Sequence, residues 1–115
     1  MNVVAIANYE TQQRSRQRRL RPRATVAPAI SGTPADGETL TASSGTWKGR
    51  LTDTLTYAYQ WTKDGVAIAG ETSNTYVVVT GDVGSLIGCE VTATQETGSP
   101  AYLSTMAPAT PVEIE

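Results

Sequence analysis

The residues that could do chemistry in this chain include one thiol, eleven carboxylates and two indoles, and histidine is absent. A Ser-His-Asp or Cys-His nucleophile system needs a histidine base, so neither can be assembled. One cysteine can close neither a zinc site nor an internal disulfide. Cys89 would serve as a nucleophile only beside a group that lowers its pKa; within an alternating strand it reads as a packed core residue. The carboxylates Asp53, Asp64, Glu71, Asp82 and Glu90 fall mostly in turns or on outward strand positions. A glycosidase pair needs two carboxyls that converge in a cleft, and calcium needs a denser Asp/Asn cluster. The expectation is a protein that binds or builds, with no enzyme activity, no cofactor and no metal.

The charge is distributed unevenly. Residues 1–23 hold Arg14, Arg16, Arg18, Arg19, Arg21 and Arg23 against Glu10 alone, a surplus of five. Residues 24–115 hold Lys48, Arg50 and Lys63 against ten acids, a deficit of seven. A basic arm therefore precedes an acidic body, and such asymmetry is a partner signal. The arm lacks apolar periodicity, its like charges repel, and Pro22 disfavours helix at Arg21. It reads as an electrostatic tether, to nucleic acid or to an acidic protein surface, with a solvated tail as the alternative. Ahead of the arginines, Val3, Val4 and Ile6 suit a strand that pairs with a neighbour or a peptide that fills a groove. A disordered start is the alternative. A secretory signal places its charges before its apolar run, so the reversed order predicts no signal peptide. No apolar stretch is long enough to span a membrane.

From Ala24 onward the pattern is all-β. Thr and Val are frequent, turn signals recur, and no segment carries a helical apolar stripe. Residues 26–31 suit an edge strand, since Pro28 cannot donate to a ladder. Residues 38–43 place Leu40 and Ala42 on one face, and residues 44–49 read as a loop. Residues 55–62 align Leu55, Tyr57, Tyr59 and Trp61. Asp64-Gly65 predicts a tight hairpin turn, followed by a short return strand at 66–69. Residues 74–80 set Tyr76 and Val78 against Val77 and Val79, and 81–84 form a corner. Residues 86–94 point Ile87, Cys89, Val91 and Ala93 inward. A turn at 97–100 leads to a last strand at 101–106, resumed at 112–114. About seven strands in two packed antiparallel sheets fit this count best. The division is an extended N-terminal arm over residues 1–25 and a sandwich over 26–115.

Several of these residues match a family. Gly37-x-x-Leu40-x-Ala42, Gly45-Thr-Trp47, Tyr57-x-Tyr59-x-Trp61, Asp64-Gly65-x-x-Ile68-x-Gly70, Tyr76, Asp82-x-Gly84 and Cys89-x-Val91-Thr-Ala resemble a bacterial or phage immunoglobulin-like domain. The resemblance covers residues 26–106 and not the arm. It implies an immunoglobulin-like β-sandwich in which Trp61 is the core tryptophan of the third strand. It also implies that Cys89 belongs to the sixth strand, with no partner cysteine on the second, where Leu40 or Ala42 would sit opposite. Cys89 is then a buried free thiol packed on Trp61, with Tyr76 and Val91 in the same core, as suits folding in a reducing cytoplasm. Ile87 stands where antibody-type members carry a corner tyrosine, so that corner hydrogen bond is absent. Trp47 could stack on a sugar or anchor a partner from its glycine-bounded loop, or fold over the open end of the sandwich.

Immunoglobulin-like sandwiches host unrelated tasks, so the fold alone does not name a function. The resemblance, the missing signal and the missing disulfide fit a tailed-bacteriophage virion protein made in the host cytoplasm. The leading expectation is a capsid decoration or accessory protein held by its arm, through Arg14, Arg16, Arg18, Arg19, Arg21 and Arg23. Its partners would be other virion proteins in a multi-copy symmetric assembly, which multiplies a weak single contact. A neck, tail or baseplate site is the near alternative. A host-glycan adhesion module using Trp47 is the alternative of another class. Nucleic acid is disfavoured, since the arm has no interleaved aromatics and the body is acidic.

Overall fold

The computed structural model describes residues 21–49, 55–95 and 103–115. Among them are ten strands and one 3-10 turn. The strands are β1 (Arg23–Val26), β2 (Ala29–Ser31), β3 (Thr39–Ser43), β4 (Thr46–Lys48), β5 (Leu55–Lys63), β6 (Val66–Ala67), β7 (Thr75–Val77), β8 (Leu86–Gln95), β9 (Leu103–Pro108) and β10 (Val112–Glu113). The 3-10 turn spans Thr80–Asp82. No helix is long and apolar enough to cross a membrane among the described residues.

The strands form a β-sandwich-like, all-β fold. One sheet runs β2-β3-β7 and the other β10-β8-β5-β6, with β9 also on β8; β1 and β4 make a separate antiparallel ribbon. The longest pairing is β5 with β8, antiparallel from Leu55↔Gln95 to Lys63↔Ile87. Period 2 explains what these strands bury. Ile87, Cys89, Val91 and Ala93 all lie inward and are buried, and so are Leu40 and Ala42 on β3. Trp61 from β5 stacks on Tyr76 from β7, with ring centroids 5.4 Å apart, and so joins the two sheets. Each fully buried Leu, Ile or Val here stabilises the fold by about 1.5–3 kcal/mol.

The turn chemistry also follows from the residues. Asp64 (φ 49°) and Gly65 (φ 84°) both sit left-handed, as a type I′ hairpin requires. The Asp64 carboxylate locks the hairpin by accepting from the Leu86 N–H at 2.9 Å. Gly45 (φ 76°) joins β3 to β4 where a Cβ would collide with the backbone of Val26, Ala27 and Pro28. Only glycine fits that crossing.

Ten strands replace the expected seven for local reasons. Pro28 divides the expected edge strand, and its halves go different ways: β1 pairs with β4, and β2 with β3. Pro108 and Pro111 divide the last strand into β9 and β10, which follow one another along the same edge of β8. The expected loop at 44–49 contains β4, because β1 supplies it a ladder. The expected turn at 97–100 lies outside the described residues. On β5 the predicted face is graded: Trp61 is buried, Leu55 and Tyr59 are half-buried, and Tyr57 is exposed.

Candidate functional site

Val3, Val4, Ile6, Arg14, Arg16, Arg18 and Arg19 lie outside the described residues. The root of the arm does not. Pro22 is fully buried, and Arg23–Val26 is strand β1. The Arg21 guanidinium donates from Nη1 to the Ser104 carbonyl at 3.0 Å, which ties it to β9. Arg21 and Arg23 are both exposed, and Arg23 begins the β1–β4 ribbon.

The β1–β4 ribbon then does something that spacing does not reveal. It sets Arg23 directly opposite Lys48. Both are exposed. Like charges facing each other across a ladder destabilise it. Among the described residues the ion pair is Lys63–Asp82, elsewhere in the fold, so no described carboxylate neutralises Arg23 or Lys48. Arg21, Arg23 and Lys48 thus form a basic patch at the point where the arginine run enters the body. Its chemistry suits an anionic surface.

Trp47 requires a correction. It is 8% exposed, and its indole Nε1 donates to the Ser44 carbonyl at 2.5 Å. Its ring meets that of Tyr57 at 6.5 Å between centroids. A sugar needs an open indole face, and here the ring is committed to the core and its polar atom is used. The arrangement leaves Trp47 no open face for a sugar. Tyr57, 39% exposed, is the accessible member of the pair.

The predicted core residues Leu40, Trp61, Tyr76, Cys89 and Val91 come together in one buried cluster. Cys89 is a free thiol directly across the ladder from Trp61. Burial pushes its pKa up, against a backbone hydrogen bond at Gln60 that favours the thiolate, and Glu90 adds to the rise. A protonated, enclosed thiol is a poor nucleophile. Trp61 is held on every polar atom. Its Nε1 donates to Ser73 O at 2.7 Å, its N–H to Glu71 O at 3.0 Å, and its carbonyl accepts from Ile68 N–H at 2.9 Å. The Gln60 amide reinforces this hook by donating to the carbonyls of Trp61 and Ile68, each at 2.8 Å.

Asp82 is the polar residue that sequence reasoning misplaced. It is not on an outer face but 2% exposed. Its Oδ2 accepts from the Tyr76 hydroxyl at 2.5 Å and from the Val79 N–H at 3.1 Å. Its Oδ1 lies 3.5 Å from Lys63 Nζ, which also donates to Gly81 O at 2.7 Å. Burial works against the charged carboxylate, but the bonds from Tyr76, Val79 and Lys63 together outweigh it, and the pKa is lowered. The signal in the sequence was Asp82-x-Gly84 after a strand bearing Tyr76, six residues upstream. Gln95 was also missed: it extends the inward series of β8 and is fully buried, and its amide has no hydrogen-bond partner.

Among the described residues no three Asp, Glu or Cys side chains are grouped to hold a metal ion. Comparison with protein-family models, with characterised proteins and with solved structures gave no match.

Proposed function

We propose that this chain is a non-enzymatic virion structural protein of a tailed bacteriophage, attached to the particle through its basic N-terminal segment. The role that fits best is a capsid decoration or accessory protein that displays an immunoglobulin-like domain. The observation that carries the reading is the opposed pair Arg23 and Lys48, an unneutralised basic patch continuous in sequence with Arg14–Arg19. A protein keeps such a repulsive pair at a cost to its own stability when a partner supplies the counter-charge. The sheet orders β2-β3-β7 and β10-β8-β5-β6, with Trp61 on an inner strand facing the other sheet, support the immunoglobulin-like description. A neck, tail or baseplate position meets the same chemistry and is the second reading.

The test is co-sedimentation of the full chain with purified phage heads and, separately, with tails. A variant with Arg14, Arg16, Arg18, Arg19, Arg23 and Lys48 all changed to Gln serves as comparison. The reading expects the full chain to pellet with one of the two and the variant to stay in solution. Equal binding by both removes the electrostatic anchor. Failure of the full chain on both, with retention on DNA at low salt, turns the basic segment into a nucleic-acid tether.

A further inference from the structure

We propose that the free edge of β7 accepts residues 2–7 of a second copy of this chain as an added strand, joining copies head to tail. The inference goes beyond the proposed function, which uses only the basic residues, by giving residues 2–7 a pairing role and naming the edge that receives them.

The register shows which backbone groups are open. β7 ends the order β2-β3-β7. Ala42 N–H donates to Asn74 O at 2.7 Å and Val78 N–H to Glu38 O at 2.9 Å, with Leu40 opposite Tyr76 between them. Asn74, Tyr76 and Val78 therefore bond inward to β3. By the alternation of an antiparallel ladder, Thr75 and Val77 direct their N–H and C=O groups outward.

β7 has three residues, as β2 does, so length does not set it apart; among the described residues its surroundings do. Pro28 immediately precedes β2, and β9 ends at Pro108 with Arg21 on its Ser104 carbonyl. Proline and charge are usual protections of an edge. Residues 72–81, by contrast, contain neither a charged residue nor a proline. Val77 and Val79 are 56% and 53% exposed on this bare stretch. A β-branched, uncharged, open edge is a template for another strand.

The sequence holds one segment built to match. Residues 2–7, Asn-Val-Val-Ala-Ile-Ala, are uncharged and rich in β-branched residues, and the arginine run follows within seven residues of Ala7. Two carboxylates lie by the Val78–Thr80 end of β7, on its β3 side. Asp36 accepts from the Thr80 hydroxyl at 2.7 Å, and Glu38 bonds Val78 through its carbonyl. Both acids are exposed. A neighbour's segment can approach β7 from open solvent, whereas Arg21, where the described residues begin, is tied to β9 in the other sheet. Donor and acceptor are different surfaces, so the joint is heterologous and extends into rings or filaments.

The test is sedimentation of the full chain over a range of concentrations, with amide hydrogen exchange read at Thr75 and Val77. Val77→Pro removes an N–H that makes no internal bond, and Val4→Pro breaks the donor without touching the sandwich. The expected result is a mass that rises with concentration, slow exchange at Thr75 and Val77 in the associated form, and association of each variant only at about tenfold higher concentration. A full chain that stays monomeric throughout overturns the proposal. So does a monomer whose Thr75 and Val77 amides are slow, since that places the segment on its own edge. The particle assay separates the two readings: a full chain that associates with itself but binds neither heads nor tails upholds the β7 edge and refutes virion attachment.

Discussion

The Tyr76 hydroxyl donates to Asp82 Oδ2 at 2.5 Å, inside the protein, and Val79 N–H donates to the same oxygen. This bond fixes the corner after β7 and holds the ring that stacks on Trp61.

Removing either partner should be costly. Tyr76→Phe leaves a buried carboxylate short of a donor, and Asp82→Asn removes the charge that strengthens three interactions. Each is expected to destabilise by about 1.5–3 kcal/mol, the range for hydrogen bonds to charged groups. Urea unfolding of both variants and of the double variant checks it. Additive losses would mean that the two residues do not act through each other.

The same pair sets a pH window. Folding lowers the Asp82 pKa, so the unfolded chain takes up the proton first. The stabilisation is present above about pH 4, the unfolded carboxyl value, and is lost as pH falls through the folded value. Tyr76 behaves in the opposite sense. Burial first, then its bond to Asp82 and the charges of Asp82 and Glu71, raise its pKa far above the usual value. The unfolded phenol ionises near pH 10 while the folded one keeps its proton, so stability declines above that pH. Thermal melts across both limits should show Tyr76→Phe flattening the alkaline decline.

Cys89 should resist thiol reagents in the folded protein. It is 1% exposed and its pKa is raised. Labelling at pH 8 is expected to follow the rate of unfolding and to become immediate in denaturant. Fast labelling without denaturant would mean that β8 opens locally at Cys89.

Trp47→Ala is expected to lower stability by about 3–5 kcal/mol, as large-to-small changes of buried aromatics do. A sugar-binding tryptophan would instead be replaceable without loss of fold. Chemical denaturation of the variant, followed by Trp61 fluorescence, distinguishes the two.

Lys48→Gln relieves its repulsion with Arg23. A gain of about 0.2–1 kcal/mol at low ionic strength is expected, shrinking as salt is added. Particle binding by the same variant should weaken. A variant that gains stability and binds equally well would leave the opposed charges without a role.

Much of the architecture was legible because it depends on neighbours in sequence. Alternation through Ile87, Cys89, Val91 and Ala93 is a local pattern, and period 2 allows it one burial outcome once a face is covered. Asp64-Gly65 carries its own turn geometry, and the absence of histidine removes whole classes of chemistry without reference to shape. What depended on distant partners was not legible. Thr46–Lys48 becomes a strand because Arg23–Val26 lies beside it, and that ladder alone sets Arg23 against Lys48. Asp82 looks like a surface turn acid until the corner folds it under Tyr76 and Lys63. Trp47 looks like an exposed loop indole until its ring is enclosed. In each case residue type specifies what a side chain can do, while burial and opposing charge, which decide what it does, arise only when segments far apart in the chain are packed together.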